Sequence, residues 1–124
     1  MDIYRKGWAL RYLREAKAEL EAARKIPYMA PSLVLEAIRK ARNAIYYSLG
    51  EPAFIEVLIR DEAIRPQPTN DTILRFLVEI EAVVQQLAQL EEFNGEAMMQ
   101  QADTLVQIAS DIVGTLTDEP TAKQ

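Results

Sequence analysis

The chain has 124 residues, of which 49% are hydrophobic and 27% charged, and it contains no cysteine and no histidine. A chain of this length can bury a core without a disulfide or a structural metal, and its composition is typical of one globular domain. The missing thiol and imidazole exclude disulfide frameworks, thiol nucleophiles, zinc sites and histidine-dependent catalytic triads.

The net charge of −5 is distributed unevenly along the chain. Residues 1–42 hold ten basic against five acidic side chains, whereas residues 43–124 hold four against fourteen. Two interpretations follow. Basic helices can dock beside acidic ones, within the fold or across a dimer, or a basic face can bind a partner that carries phosphate.

Apolar residues recur at helical spacing in every long segment, and no run alternates as a half-buried strand does. We predict an all-α, up-and-down antiparallel bundle of four long helices and one short one. The helices cover about 3–25, 31–49, 51–64, 71–93 and 96–117, in a single domain over residues 1–117 followed by a polar tail over 118–124.

The first predicted helix combines aromatic and basic residues. Tyr4, Trp8 and Tyr12 lie one turn apart, where they form either a base-stacking surface or the rim of a core or dimer contact. A helical projection places six cations on the flank away from Trp8. They are Lys6, Arg11, Arg14, Lys17, Arg24 and Lys25. Of these, Arg11, Arg14 and Lys17 are the candidate phosphate contacts.

The second predicted helix ends in "KARNAIYYSLG", with Gly50 expected as a left-handed cap. Arg42 falls at the border of the apolar stripe, while Asn43 and Tyr47 project outward. In one interpretation Arg42 covers the core and complements the helix C-terminus, and the tyrosines cover a neighbouring helix. In the other, Arg42, Asn43 and Tyr47 form a binding site.

The remaining helices suggest packing rather than chemistry. The third presents Phe54, Ile55 and Leu58 together, and a residue within 69–71 caps the fourth helix. The spacing of apolar residues in the fourth and fifth helices predicts that these two form an antiparallel hairpin.

Motifs for metals and phosphates are missing from the sequence. The four glycines are isolated, and there is no Glu-x-x-Glu pair of the kind that holds magnesium. Glu15 with Glu19, and Glu92 with Glu96, are interpreted as solvated surface. We therefore expect no cofactor and no metal. Charge interrupts every apolar run near the start, so we also expect no membrane segment and a cytoplasmic protein.

The segments "REAKAELEAARKI", "SLVLEAIRKARNAIYYSLGEP" and "ADTLVQIASDIVGTL" resemble the HEPN superfamily of small helical bundles, over the first fifty residues and the last helix. Ribonuclease members carry an Arg, often followed by a polar residue, with a His four to six positions after the Arg. Arg42 and Asn43 match this pattern, but Tyr47 occupies the place of the His.

We therefore expect a non-catalytic binding or assembly module similar to a HEPN domain. It forms a homodimer and engages a protein, nucleotide or nucleic-acid partner. The alternatives are a divergent ribonuclease that uses Arg42 and Tyr47, and a purely structural protein-interaction domain.

Overall fold

The computed structural model describes residues 2–67, 69–89 and 94–118 of the chain. Five α-helices and a 3₁₀ turn, and no strand, lie within these ranges. They are α1 Ile3–Lys25, the 3₁₀ turn Pro27–Met29, α2 Ala30–Leu49, α3 Pro52–Ala63, α4 Thr72–Ala88 and α5 Gly95–Thr117. The predicted all-α fold class, a helical bundle, is confirmed.

Local side-chain chemistry sets the starts of three helices. Asp2, Asp71 and Asn94 each accept a hydrogen bond from a backbone N–H in the first turn of the helix that follows. These bonds satisfy donors that have no partner within the helix. The cap predicted within residues 69–71 is therefore Asp71.

Two helix ends differ from the prediction. Helix α4 ends at Ala88 instead of near residue 93, and residues 90–93 lie outside the described part of the chain. Gly50 follows α2 with φ of 172°, which is extended backbone, so the predicted left-handed cap is wrong. The left-handed residue is Asp118, directly after α5, and residues 119–124 of the predicted tail lie outside the described residues.

Helix α2 is the centre of the bundle and packs against all four other helices. Its closest partner is α1, and α5 packs against both. The helix pair α1–α2 is lined by alanines, which allow two backbones to approach closely. These alanines, all buried, are Ala9, Ala16 and Ala23 of α1 and Ala37, Ala41 and Ala44 of α2. Larger side chains fill the remaining core, including Leu13, Ile38, Ile45, Leu77, Ile80 and Val113.

Helices α4 and α5 were predicted to form an antiparallel hairpin. Within the described residues they do not pack closely against each other, so this prediction is wrong. Helix α5 packs against α1 and α2, whereas α4 packs against α2 and α3. The two helices differ in the side chains that they bury. Helix α5 buries the small Ala102, Ala109 and Ser110 among its larger residues, which allows a close approach to neighbouring helices, while the residues that α4 buries are all larger than alanine: Phe76, Leu77, Ile80 and Val84.

Within the described ranges, none of the helices combines the length and the apolar composition that a membrane span requires.

Candidate binding surface

Four aromatic rings form one cluster over the outer groove between α1 and α2. Tyr4, Trp8 and Tyr12 follow one another along α1, and Tyr47 reaches them from the end of α2. The ring centroid of Tyr47 lies 6.2 Å from that of Trp8 and 5.7 Å from that of Tyr12, and both pairs are stacked. Tyr4 meets Trp8 edge-on at 6.3 Å and is 66% exposed. The cluster therefore has a fixed inner part and an accessible outer edge.

Two arginines border this aromatic cluster. The guanidinium carbon of Arg11 lies 4.9 Å from the ring centroid of Trp8, within the range of a cation–π interaction. Arg11 also pairs with Glu15 at 3.3 Å, but both side chains are exposed, so this pair holds the guanidinium only weakly. Arg5 donates a hydrogen bond of 3.4 Å to the backbone carbonyl of Tyr47. We call the six residues of this region the aromatic–arginine surface: Tyr4, Arg5, Trp8, Arg11, Tyr12 and Tyr47.

The position of Arg11 corrects the helical projection. The projection placed Arg11 on the flank away from Trp8, but residues three apart on a helix are neighbours, and the Arg11 guanidinium lies over the Trp8 ring. The predicted flank of six cations is thus divided between the two sides of α1.

Lys17 belongs to the opposite side of α1. Its ammonium donates a hydrogen bond of 3.2 Å to the hydroxyl of Ser110 on α5. Burial lowers the pKa of Lys17, and the nearby charge of Asp111 acts in the opposite direction. Lys17 therefore takes part in the contact between α1 and α5. Arg14 is exposed and has no ion-pair partner among the described residues.

Arg42 forms a separate polar network between α2 and α4. One of its terminal nitrogens donates to Glu81 Oε1 at 2.7 Å, and the Tyr46 hydroxyl donates to the same oxygen at 3.2 Å. The guanidinium carbon of Arg42 lies 5.7 Å from the Tyr46 ring centroid. Its Nε also donates to the side-chain oxygen of Asn43 at 3.4 Å. The network is thus an ion pair between Arg42 and Glu81. Tyr46 adds a hydrogen bond to Glu81, and Asn43 accepts a hydrogen bond from Arg42.

The Tyr46 hydroxyl is held in its protonated form. Burial raises the pKa of Tyr46, and the negative charge of Glu81 raises it further, against the smaller opposing effect of Arg42. A cleft of about 250 Å³ opens beside this hydroxyl, between α3 and α4, and its charged lining consists of Glu56, Arg60 and Glu81.

The structure thus separates the three candidates of the second helix. Arg42 and Asn43 lie in the network with Glu81, whereas Tyr47 is part of the aromatic stack with Trp8. Burial raises the pKa of Tyr47, with smaller contributions from Tyr12 and Tyr4 in the same cluster.

A further polar contact joins α1 and α2 and was not predicted. Lys40 donates to Glu19 at 2.6 Å and to Glu15 at 3.5 Å. The Glu19 side chain is only 21% exposed, so its interpretation as solvated surface is wrong. The other predicted surface pair, Glu92 with Glu96, lies partly outside the described residues, because these do not include Glu92.

Pairing α1 and α2 as antiparallel neighbours could have found Lys40, because that arrangement brings it near Glu15 and Glu19.

The described residues contain no group of three or more acidic side chains placed to hold a metal ion. The fold and this surface define a class, an all-α helical bundle with aromatic rings and arginines displayed along its first helix. Comparison of the chain with protein-family models, with curated proteins and with solved structures finds no match.

Proposed function

We propose that this protein is a non-catalytic, HEPN-like helical module of the cytoplasm that binds single-stranded nucleic acid. The binding site is the aromatic–arginine surface, and the functional unit is a homodimer.

One observation carries the proposal: the guanidinium of Arg11 lies over Trp8 in a cluster that continues to an exposed ring, Tyr4. Proteins that bind single strands without sequence preference combine cations that follow the backbone with aromatic rings on which bases stack. Arg11 and Arg14 supply exposed cations on α1, and Tyr4 supplies the accessible ring edge.

The ribonuclease alternative has less support. A general base at neutral pH needs a pKa near the working pH, and burial moves the pKa of Tyr47 in the opposite direction, upward. The guanidinium of Arg42 is already paired with Glu81. Incubation with mixed RNA at neutral pH, beside an Arg42→Ala variant, tests this alternative directly. We expect no cleavage that depends on Arg42.

Trp8 makes the binding proposal testable without a label, because it is the only tryptophan of the chain. Titration with a short oligothymidylate at low salt should quench its fluorescence. Since stacking of a base on an aromatic side chain contributes about 1–3 kcal/mol, Tyr4→Ala should weaken binding by roughly 5- to 150-fold. Arg11→Gln should also weaken it.

Tyr28→Ala is the matched control. Tyr28 is 86% exposed, but it lies on the 3₁₀ turn at the opposite end of α1. The Tyr28→Ala variant should therefore bind oligothymidylate as tightly as the parent protein does. An absence of quenching at low salt, or equal effects of the two tyrosine variants, would refute the proposal. Such a result would favour a module that only binds protein.

A further inference from the structure

Helix α1 contains a glycine, Gly7, that packing within the described chain does not require. Gly7 is exposed and lies inside the helix, beyond the first turn that Asp2 caps. Glycine destabilises a helix interior relative to alanine, because it loses more backbone freedom on folding. A Cβ atom placed on Gly7 meets no other described atom within 4 Å, apart from its chain neighbours and the adjacent helix backbone, whereas one placed on Gly50 meets the Ile55 side chain at 3.4 Å. Alanine would therefore fit at position 7 and make a more stable helix.

Large side chains surround Gly7 on the surface of α1. Tyr4 lies one turn before it and Arg11 one turn after it, because residues three and four apart are neighbours on a helix. The guanidinium of Arg11 lies over the ring of Trp8, 4.9 Å from its centroid, and leaves the backbone of Gly7 uncovered. Ile3, which is 86% exposed, is the fourth neighbour. We call the gap between these four side chains, with Gly7 as its floor, the Gly7 notch.

The walls and the floor of the Gly7 notch match a flat aromatic ligand. Bases of single strands stack on aromatic rings and on arginine, and the notch has the exposed Tyr4 ring on one side and the Arg11 guanidinium on the other. Tyr47 stacks on Trp8 at 6.2 Å, so the wall that Trp8 forms is held in place. Glycine has no Cβ and lets a ligand approach the backbone closely. A base therefore finds stacking partners at its faces and open backbone at its edge.

We propose that the Gly7 notch holds one base of the bound strand. One face of the base stacks on the Tyr4 ring, the other faces the Arg11 guanidinium, and its edge rests on the backbone at Gly7. This inference rests on the proposed binding of single-stranded nucleic acid and adds the position at which a base is held. It also gives the glycine a role, because any side chain at position 7 would lift the base away from the helix.

Substitutions that fill the notch test the proposal. Gly7→Ala should raise the midpoint of thermal unfolding by about 2–4 °C, because alanine favours the helix. The same variant should weaken the binding of oligothymidylate about fivefold or more, because its methyl group occupies the place of the base edge. Gly7→Leu has a larger side chain and should weaken binding further. The anisotropy of a dye-labelled oligothymidylate measures binding, since a substitution beside Trp8 also changes the surroundings of that ring.

Ala97→Leu is the matched control. Ala97 is exposed on the first turn of α5, and Asp103 of that helix pairs with Arg24, at the other end of α1 from Gly7. The Ala97→Leu variant should bind oligothymidylate as tightly as the parent protein does. In both Gly7 variants the slope of log affinity against log salt should stay that of the parent, because these variants keep every cation.

The outcomes separate the notch from the proposed function. Gly7 variants that bind as tightly as the parent, while Tyr4→Ala binds more weakly, would overturn only the notch. A smaller salt slope in Gly7→Ala would assign its loss to phosphate contacts, and a lower thermal midpoint would mean that the fold itself requires the glycine. Either result would also overturn the notch. A parent that does not bind oligothymidylate at low salt would overturn the notch and the proposed function together.

Discussion

At the scale of single residues, the Tyr46 hydroxyl couples the α2–α4 contact to pH. Its pKa is raised in the folded protein, so between pH 10 and that higher value the unfolded chain loses the proton and the folded chain keeps it. The unfolded state then binds fewer protons, and stability falls as pH rises. This contribution is fully present below pH 10.

Tyr46→Phe should expose this effect. Near pH 7 the variant loses the bond to Glu81 and should be destabilised by about 1–2 kcal/mol. Above pH 10 the difference from the parent should shrink, because only the parent carries the penalty of a phenol that resists ionisation. Urea unfolding at pH 7, 9, 10 and 11 measures the difference. A constant difference across these pH values would contradict the assignment.

The placement of Arg42 relative to its own helix could be predicted from the sequence. The helical projection put Arg42 at the core border and Tyr47 outside it, and the Arg42 side chain is indeed 20% exposed. Its partner Glu81 could not be predicted, because it lies 39 residues away and depends on how α4 packs on α2. The stack of Tyr47 on Trp8 likewise depends on the register of two helices.

At the scale of elements, the alanine-lined contact of α1 and α2 sets how closely the two helices approach. Ala16 is fully buried in it, whereas Ala18 is exposed on the same helix. Ala16→Leu adds methyl groups to a closely packed core and should cost about 1–3 kcal/mol. Ala18→Leu changes the helix propensity in the same way but adds atoms only at the surface, so its effect should stay within about 0.5 kcal/mol. Thermal or urea unfolding of the pair provides the measurement. Equal destabilisation of the two variants would mean that this contact is not close-packed.

The end of α1 and the start of α4 were predictable because their signals are local. Pro27 ends α1, and Asp71 caps α4 through its own side chain. The choice of partners was not predictable in the same way. Apolar spacing shows which face of α4 and of α5 is buried, but not which helix that face meets. That choice depends on how all the helices pack together, which the spacing of residues within one helix does not contain.

At the scale of the whole molecule, part of the excess positive charge in the first 42 residues is matched by acidic residues from later in the chain. Arg42 pairs with Glu81 of α4 and Arg24 pairs with Asp103 of α5, whereas Lys40 pairs with Glu15 and Glu19 inside the first 42 residues. The hydrogen bond that Arg24 donates to Asp103 is the largest cause of the raised pKa of Arg24. The docking of the basic helices α1 and α2 beside α5 and α4 thus accounts for Arg24 and Arg42. Arg11 and Arg14 remain on the exposed side of α1, where an external phosphate can reach them.

The contrast between cations that are paired within the fold and the exposed Arg11 and Arg14 predicts which cations control the salt dependence of nucleic-acid binding. Each phosphate of a single strand that a cation neutralises contributes about 0.7 to the slope of log affinity against log salt. Replacing both Arg11 and Arg14 by Gln should therefore reduce the slope by about 1.4. Arg42→Gln should leave the slope unchanged because Glu81 already neutralises that charge, and Lys17→Gln should change it little because its ammonium bonds Ser110. Trp8 fluorescence titrations at three or more salt concentrations give the slopes, with helix content checked by circular dichroism. An unchanged slope in the double variant, or a larger change in Arg42→Gln, would show that the exposed side of α1 does not contact phosphate.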